Sequence, residues 1–144
     1  MQPRQRVHGS CAARDGAAVL VIGPPGSGKS DLVLRLLAHG FQLVADDQVE
    51  IEDGVASAPP ALAGLLETRG LGITRLPHAE RGRIALVAQL DGLADRLPQP
   101  ETHPVLGVPV IHLDPTAASA PDRVALALRC ALGQADQVAG AFAA

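Results

Sequence analysis

The stretch Val19-Leu-Val-Ile-Gly-Pro-Pro-Gly-Ser-Gly-Lys-Ser30 restricts the fold of this chain more than any other. Four apolar residues run into Gly23, the pattern G-x-x-x-x-G-K-S ends at Ser30, and an apolar-periodic segment from Leu32 to Leu37 follows. Strand, glycine-rich turn and helix in that order make a phosphate-binding loop. Its glycines let successive backbone N–H groups converge on one point. The helix adds its own unsatisfied N–H groups and the positive end of its dipole. Gly23, Pro24, Pro25, Gly26, Ser27, Gly28, Lys29 and Ser30 are therefore the expected nucleotide-binding residues. Lys29 reaches the β- and γ-phosphates as a point charge, and the Ser30 hydroxyl can ligate Mg²⁺. The loop alone does not specify what happens to the γ-phosphate.

Composition narrows the partners. The formal net charge is −3, which leaves no basic footprint for nucleic acid. Two Phe and no Trp or Tyr leave few platforms for base stacking and require a core of Leu, Val, Ile and Ala. No apolar run approaches the ~20 residues of a membrane span, and no signal core follows the basic start Met1 to Arg6. Cys11 and Cys130 lack metal-ligand spacing and read as reduced thiols of a cytoplasmic protein. At 144 residues the chain is expected to be one α/β domain spanning 1–144.

Along the chain, residues 1–6 read as a loose end. Val7 to Ala13 and the run into the loop read as a hairpin closed by Asp15-Gly16. That pairing sets His8 roughly level with Gly23. Ser30 to His39 reads as a helix, apolar around most of its circumference and capped by Gly40. Phe41 to Ala45 is the next strand, expected beside the loop strand, with Asp46-Asp47 at its end and a continuation over 48–51. Ligands gather at the carboxyl ends of such strands, so one Asp could hold magnesium through water while the other takes a proton from a nucleophile. Asp53-Gly54 is a second turn, 56–60 a loop, and 61–66 a helical turn before Glu67-Thr-Arg-Gly-Leu-Gly-Ile73. Glu67 and Arg69 are equally readable as an ion pair. Residues 74–83 read as a loop with an exposed His78, 84–90 as a central strand, 91–100 as a surface loop carrying Arg96, and 105–113 as an edge strand broken by Pro109. A helix is expected from about Ser119 to Phe142, interrupted near Gly133.

His8-Gly9, the loop Gly23–Ser30, Leu43-Val-Ala-Asp-Asp47, Ala58-Pro-Pro60 with Leu65-Leu66, and Glu67-Thr-Arg-Gly-Leu-Gly-Ile73 occur in an order that resembles the catalytic domain of the bacterial HPr kinase/phosphorylase family. The last segment is similar to that family's E-I-R-G-L-G-I signature, with Thr68 at the variable place. The resemblance covers residues 7 to about 90. It implies a phosphate-loop α/β fold with a mixed sheet and flanking helices, akin to phosphoenolpyruvate carboxykinases. It also implies an ATP-dependent serine kinase acting on a small HPr-like phosphocarrier protein of the phosphotransferase system, with phosphorolysis of the phosphoserine to pyrophosphate at the same site. Members are typically hexamers, so a homo-oligomer is expected.

Carried onto this sequence, the resemblance makes Lys29 the group that stabilises the transferring phosphoryl charge. Asp47 becomes the base, and His8 lies beside it at the γ-phosphate. Ser30 and Glu67 become the Mg²⁺ ligands, and Arg96, within Asp95-Arg96-Leu97, the distal catalytic arginine. The chain departs from the family in having only about seven residues before the His8 match. It also has Leu113 to Pro121, without Lys or Arg, where the family carries a basic stretch linked to phosphorolysis. Two other classes share the loop: a small-molecule kinase or other phosphate-loop NTPase, which does not explain Arg69-Gly-Leu-Gly72, and an ATP-sensing regulator, which needs neither Asp47 nor His8.

Overall fold

Two Asp-Gly pairs set the local geometry of the sheet. A computed structural model describes residues 4–143. In it β2 (Ser10–Arg14) and β3 (Ala17–Ile22) are joined by Asp15-Gly16, and β5 (Gln48–Glu52) and β6 (Val55–Ser57) by Asp53-Gly54. All four turn residues have positive φ, at 53°, 82°, 52° and 77°. Two-residue loops of that conformation match the natural twist of a hairpin. The other strands are β1 (Gln5–His8), β4 (Gln42–Ala45), β7 (Leu65–Thr68), β8 (Gly72–Arg75), β9 (Gly82–Gln89) and β10 (Val110–His112). Helix α1 spans Lys29–Leu36 and passes into a 3-10 turn, Leu37–His39. Helix α2 spans Ala120–Ala131.

β3 lies between β2, antiparallel, and β9, parallel. β10 extends β9 in parallel, and the remaining pairs of the main sheet are antiparallel. The sheet also closes on itself. β4 pairs with β2 and β5 with β1, and the register is the same on both sides of the break: Cys11 faces Ala45 and His8 faces Gln48. The Gly9 N–H donates to the Asp47 carbonyl at 3.1 Å across the gap. Thus β1–β2 and β4–β5 are two kinked strands on one ladder, and β6 returns from β5 to β9. Residues from every strand of this ring, including Cys11, Ala13, Ala18, Leu20, Val49, Ala56, Ile84 and Val87, form one buried cluster. A narrow ring needs small side chains, which is what an Ala-rich chain without Trp or Tyr can supply. Burial pushes the Cys11 thiol up to about 12, so it packs there as a neutral hydrophobe.

The second cluster lies on the opposite face of β2, β3 and β9, where Ala12, Val19, Val21, Leu86 and Ala88 meet both helices. Helix α1 contributes Leu32, Val33 and Leu36, and α2 contributes Val124, Ala127 and Leu128. The change of face along β9 from Ile84 to Leu86 coincides with a register shift opposite Ala18/Val19. Helix α1 is more amphipathic than its sequence suggests, because Leu34 is exposed.

Several boundaries differ from the sequence expectations for identifiable reasons. Residues 1–3 lie outside the described residues, but Gln5 and Arg6 pair with Ile51 and Glu50 in β1 instead of forming a loose end. Strand β4 does not adjoin β3, because the Asp15-Gly16 hairpin places β2 between them. Val55–Ser57 is a strand, since the Asp53-Gly54 turn returns it onto β5. The helical turn expected over 61–66 is a 3-10 turn at Pro60–Leu62, after which Leu65 already belongs to β7. Residues 72–75 pair with β7. Helix α2 stops at Ala131, where Gly133 turns left-handed at φ 73° and its N–H bonds the Cys130 carbonyl, so 134–142 is not helical. No helix among the described residues is long and apolar enough to cross a membrane.

His112, at the end of β10, pins both ends of the surface loop after β9. Its Nδ1 lies 2.8 Å from Asp91 Oδ2 and its Nε2 2.8 Å from Glu101 Oε1. Hydrogen bonding to Glu101 and then Asp91 outweighs burial and raises the His112 pKa above its usual 6.5. Burial pushes Asp91 up, but the Leu93 N–H and His112 more than offset it, so Asp91 lies below its usual 3.8.

Two outcomes are expected. Ala18→Leu should overpack the ring and lower the unfolding free energy by about 1–3 kcal/mol in urea titration. The His112 contribution is complete below the unfolded value near 6.5 and is lost as pH rises through the raised folded value. The Asp91 contribution is complete above 3.8 and is lost as pH falls through its lowered value. Melting temperature should therefore fall on the alkaline side of this window in the wild type, and that limb should flatten in His112→Gln.

Candidate active site

The kink at Gly9 and Asp47 opens the ring beside the phosphate loop. Gly9 has no alternative there: a Cβ would sit 2.8 Å from the Val21 carbonyl oxygen. Asp47 takes up the kink on the other strand with φ 69°, a left-handed conformation that Asp tolerates better than most residues. One consequence is that the adjacent carboxylates diverge. Asp46 is 6% exposed, whereas the Asp47 side chain is 61% exposed.

Asp46 points inward and collects donors. The Ser10 hydroxyl donates to its Oδ1 at 2.8 Å, the Ser30 hydroxyl to the same oxygen at 2.6 Å, and the Glu67 backbone N–H to Oδ2 at 3.2 Å. Strand β2, helix α1 and strand β7 thus meet on one carboxylate. Asp47 points outward into a cavity of about 820 Å³. His8 shares that cavity, with its Nδ1 3.5 Å from Asp47 Oδ1.

The phosphate loop forms the opposite wall. Gly26 and Gly28 have φ 77° and 98°, and Gly28 stands immediately before α1. Pro25, Gly26, Gly28, Lys29 and Ser30 line the cavity, while Gly23, Pro24 and Ser27 form the loop behind them. The Lys29 ammonium is buried and donates to the Gly23 and Pro24 carbonyls, each at 3.1 Å. The Ser27 hydroxyl is buried without a hydrogen-bond partner. A loop with an orphaned hydroxyl, glycine-freed amides and a cation held only by carbonyls suits an anionic ligand.

The third wall is the β7–β8 hairpin, which brings Glu67 and Arg69 to the cavity. Their side chains do not pair with one another. Among the described residues no group of three or more His, Cys, Asp or Glu could hold a metal. That does not conflict with Mg²⁺, which is commonly held by one or two carboxylates plus substrate phosphates while keeping several waters. Ser30 and Glu67, which both line the cavity, are ligands of that kind, and Asp46 fixes the Ser30 hydroxyl from behind.

Of the predicted site residues, His8, Lys29, Ser30, Asp47 and Glu67 converge on one cavity. Arg96 does not. It lines a separate cavity of about 560 Å³ with His112, Arg123 and Phe142, on the loop that His112 pins. Asp46 was visible in the sequence as half of an Asp pair but not as the anchor. Ser10 carried no recognisable signal, because a lone serine in an Ala-rich strand is unremarkable without the register. The segment Leu113–Pro121 is fastened to α1, where the Arg35 guanidinium donates to the Pro115 carbonyl at 2.6 Å.

Three comparisons bear on this arrangement. The family model described as the HPr Serine kinase C-terminal domain matches residues 1–79. An HPr kinase/phosphorylase 1 from Oceanobacillus iheyensis is 45% identical over 101 residues, 62% of this chain and 33% of the relative. An HPr kinase/phosphorylase from Burkholderia cenocepacia is 37% identical over 127 residues, 76% of this chain and 39% of the relative. The chain therefore spans roughly a third of the length of these relatives. The solved Hpr(Ser) kinase/phosphatase from Coxiella burnetii superimposes with a TM-score of 0.73 at 25% identity, covering 87% of this chain and 94% of that one. The fold is the mixed-sheet, phosphoenolpyruvate carboxykinase-like phosphate-loop fold that the resemblance implied.

Asp46→Ala should leave the fully buried Ser10 hydroxyl without a partner and release the Glu67 N–H at the hairpin. At about 1–3 kcal/mol for the one fully buried group stranded, the variant should lose about that much unfolding free energy. Urea titration by circular dichroism measures this, and an unchanged midpoint would contradict the anchoring role of Asp46.

Proposed function

The chain belongs to the HPr serine kinase C-terminal domain family, and on that footing we propose that it phosphorylates a serine of an HPr-like phosphocarrier protein with ATP and Mg²⁺. We also propose that the same site removes that phosphate by phosphorolysis. The reading is supported by the names of the relatives and of the structural neighbour. The observation that carries it is the divergence of the two carboxylates: Asp46 is spent on holding Ser30 and the hairpin, and Asp47 is left free beside His8 in the phosphate-loop cavity.

In the forward direction the substrate serine oxygen attacks the γ-phosphorus, the bond to the ADP oxygen breaks with its electron pair, and the serine proton passes to Asp47. In reverse, an oxygen of inorganic phosphate attacks the phosphoserine phosphorus. Pyrophosphate forms, and Asp47 returns the proton to the leaving serine oxygen. Little covalent chemistry is asked of the protein, so positioning and charge neutralisation dominate. Lys29 exchanges its two carbonyl partners for phosphate oxygens, and the loop amides hold the phosphates. His8 sits where it can hold Asp47 toward the incoming hydroxyl. Ser30 and Glu67 would hold Mg²⁺, which when bound neutralises phosphate charge.

A catalytic part for Arg96 requires its loop to move, or a neighbouring copy to supply it in the homo-oligomer that the family resemblance implies. The place of action would be the cytoplasm, where a phosphocarrier of this kind and ATP meet.

The test is intact-mass analysis of a phosphocarrier protein after incubation with this chain and Mg-ATP. A gain of one phosphoryl group is expected, with the rate reduced at least ~10²–10⁴-fold in Asp47→Asn. Return of the phosphorylated carrier with inorganic phosphate should release pyrophosphate. ATP binding without transfer to any phosphocarrier would overturn the reading.

A further inference from the structure

We propose that Ser10 is a positioning residue of this site, acting through Asp46 to aim the Ser30 hydroxyl and to keep the two carboxylates in separate roles. The inference deepens the kinase reading and rests on it. Ser10 is fully buried, yet its neighbours Cys11, Ala12 and Ala13 are small apolar residues of the core. A buried hydroxyl is costly unless it is bonded. Its bond goes to Asp46 Oδ1 at 2.8 Å.

The register explains why that partner is Asp46. Cys11 faces Ala45 and His8 faces Gln48, so Ser10 stands directly across the ladder from Asp46. The same three-residue segment therefore serves both carboxylates. The His8 Nδ1 lies 3.5 Å from the Asp47 carboxylate, the Gly9 N–H bonds the Asp47 carbonyl, and the Ser10 hydroxyl bonds the Asp46 side chain.

Asp46 Oδ1 receives two hydroxyls, from Ser10 on one side and Ser30 on the other, while Oδ2 receives the Glu67 N–H. Three donors from three elements leave the carboxylate one orientation. Without Ser10, Oδ1 keeps only Ser30, the group it has to aim. The carboxylate can then rotate toward Ser30 and the hairpin, and the Ser30 oxygen loses its fixed direction. Loss of such a partner behind a metal ligand typically weakens the metal by ~10–100-fold.

A purely structural serine would behave differently. It would lower stability and nucleotide affinity together and would be indifferent to the state of Asp46. The experiment uses Mn²⁺ as the probe, titrated in the presence of a non-hydrolysable ATP analogue and followed by the resonance signal of free Mn²⁺. Analogue binding without metal and the melting temperature are measured alongside. Ser10→Ala is expected to weaken Mn²⁺ by ~10-fold while metal-free analogue binding holds. Ser10→Thr, which keeps the hydroxyl, should retain wild-type Mn²⁺ affinity. Ser10→Ala in an Asp46→Asn background should add nothing to the loss caused by Asp46→Asn alone.

Equal Mn²⁺ affinity in Ser10→Ala and wild type would overturn the inference, as would a loss fully additive with Asp46→Asn. Wild-type protein that binds no Mn²⁺–nucleotide would remove the inference and the kinase reading together. Wild-type protein that shows the expected Mn²⁺ pattern but transfers nothing to a phosphocarrier would end the kinase reading alone and leave the role of Ser10 standing.

Discussion

Burying the Asp46 carboxylate would cost several kcal/mol if its charge were left without partners. Here it accepts three hydrogen bonds, and each donor comes from a different part of the chain. Ser10 brings the first kinked strand, Ser30 the helix that follows the phosphate loop, and the Glu67 amide the β7–β8 hairpin. These are also the walls of the cavity. Cavity shape and the satisfaction of one buried charge are therefore the same constraint. A carboxylate suits this duty better than an amide, because every partner is a donor and an ionised carboxylate is acceptor-only.

The closed ring supplies the frame for that charge. An open sheet would let the strands carrying His8 and Asp47 splay apart. Here both belong to a ladder anchored at β3 on one side and β6 on the other. The small interior of Cys11, Ala13, Ala18 and Ala56 allows the strands to wrap tightly. The wrap kinks the ladder at Gly9 and Asp47, and the kink is where the site opens. Aromatic-poor composition and the geometry of the candidate site are thus linked through the side chains that fill the ring.

Much of this was legible in the sequence, and what was not has physical reasons. The phosphate loop, both Asp-Gly hairpins and the central strand at 84–89 followed from local chemistry: glycines that permit positive φ, apolar runs, and turn residues at hairpin spacing. The Asp46-Asp47 pair was visible too. What a linear pattern could not carry was pairing. Strand β4 was expected beside the loop strand, yet the first hairpin interposes β2. His8 was expected level with Gly23 through pairing with β3. It reaches the same neighbourhood by another route, leaving β3 at the Gly9 kink and pairing with Gln48. The break expected near Gly133 is real, but the helix does not resume toward Phe142: Ala-rich composition favours helix on both sides, and one left-handed glycine ends it. Arg96 rests on the three residues Asp95-Arg96-Leu97 alone, and the cavity it lines is not the phosphate-loop one.

The site stores its groups in bonds that a ligand can exchange. Lys29 is held by two backbone carbonyls, neutral acceptors that a phosphate oxygen would displace because a charged acceptor makes the stronger bond. Glu67 is tethered through its amide and not through its carboxylate, so fixing the hairpin leaves the side chain free. Asp47 keeps its carboxylate exposed while its carbonyl secures the kink through Gly9. In each case backbone groups do the holding and the side chain stays available. Asp46 is the exception, since its side chain is wholly committed. That commitment is what allows its neighbour in sequence to be free.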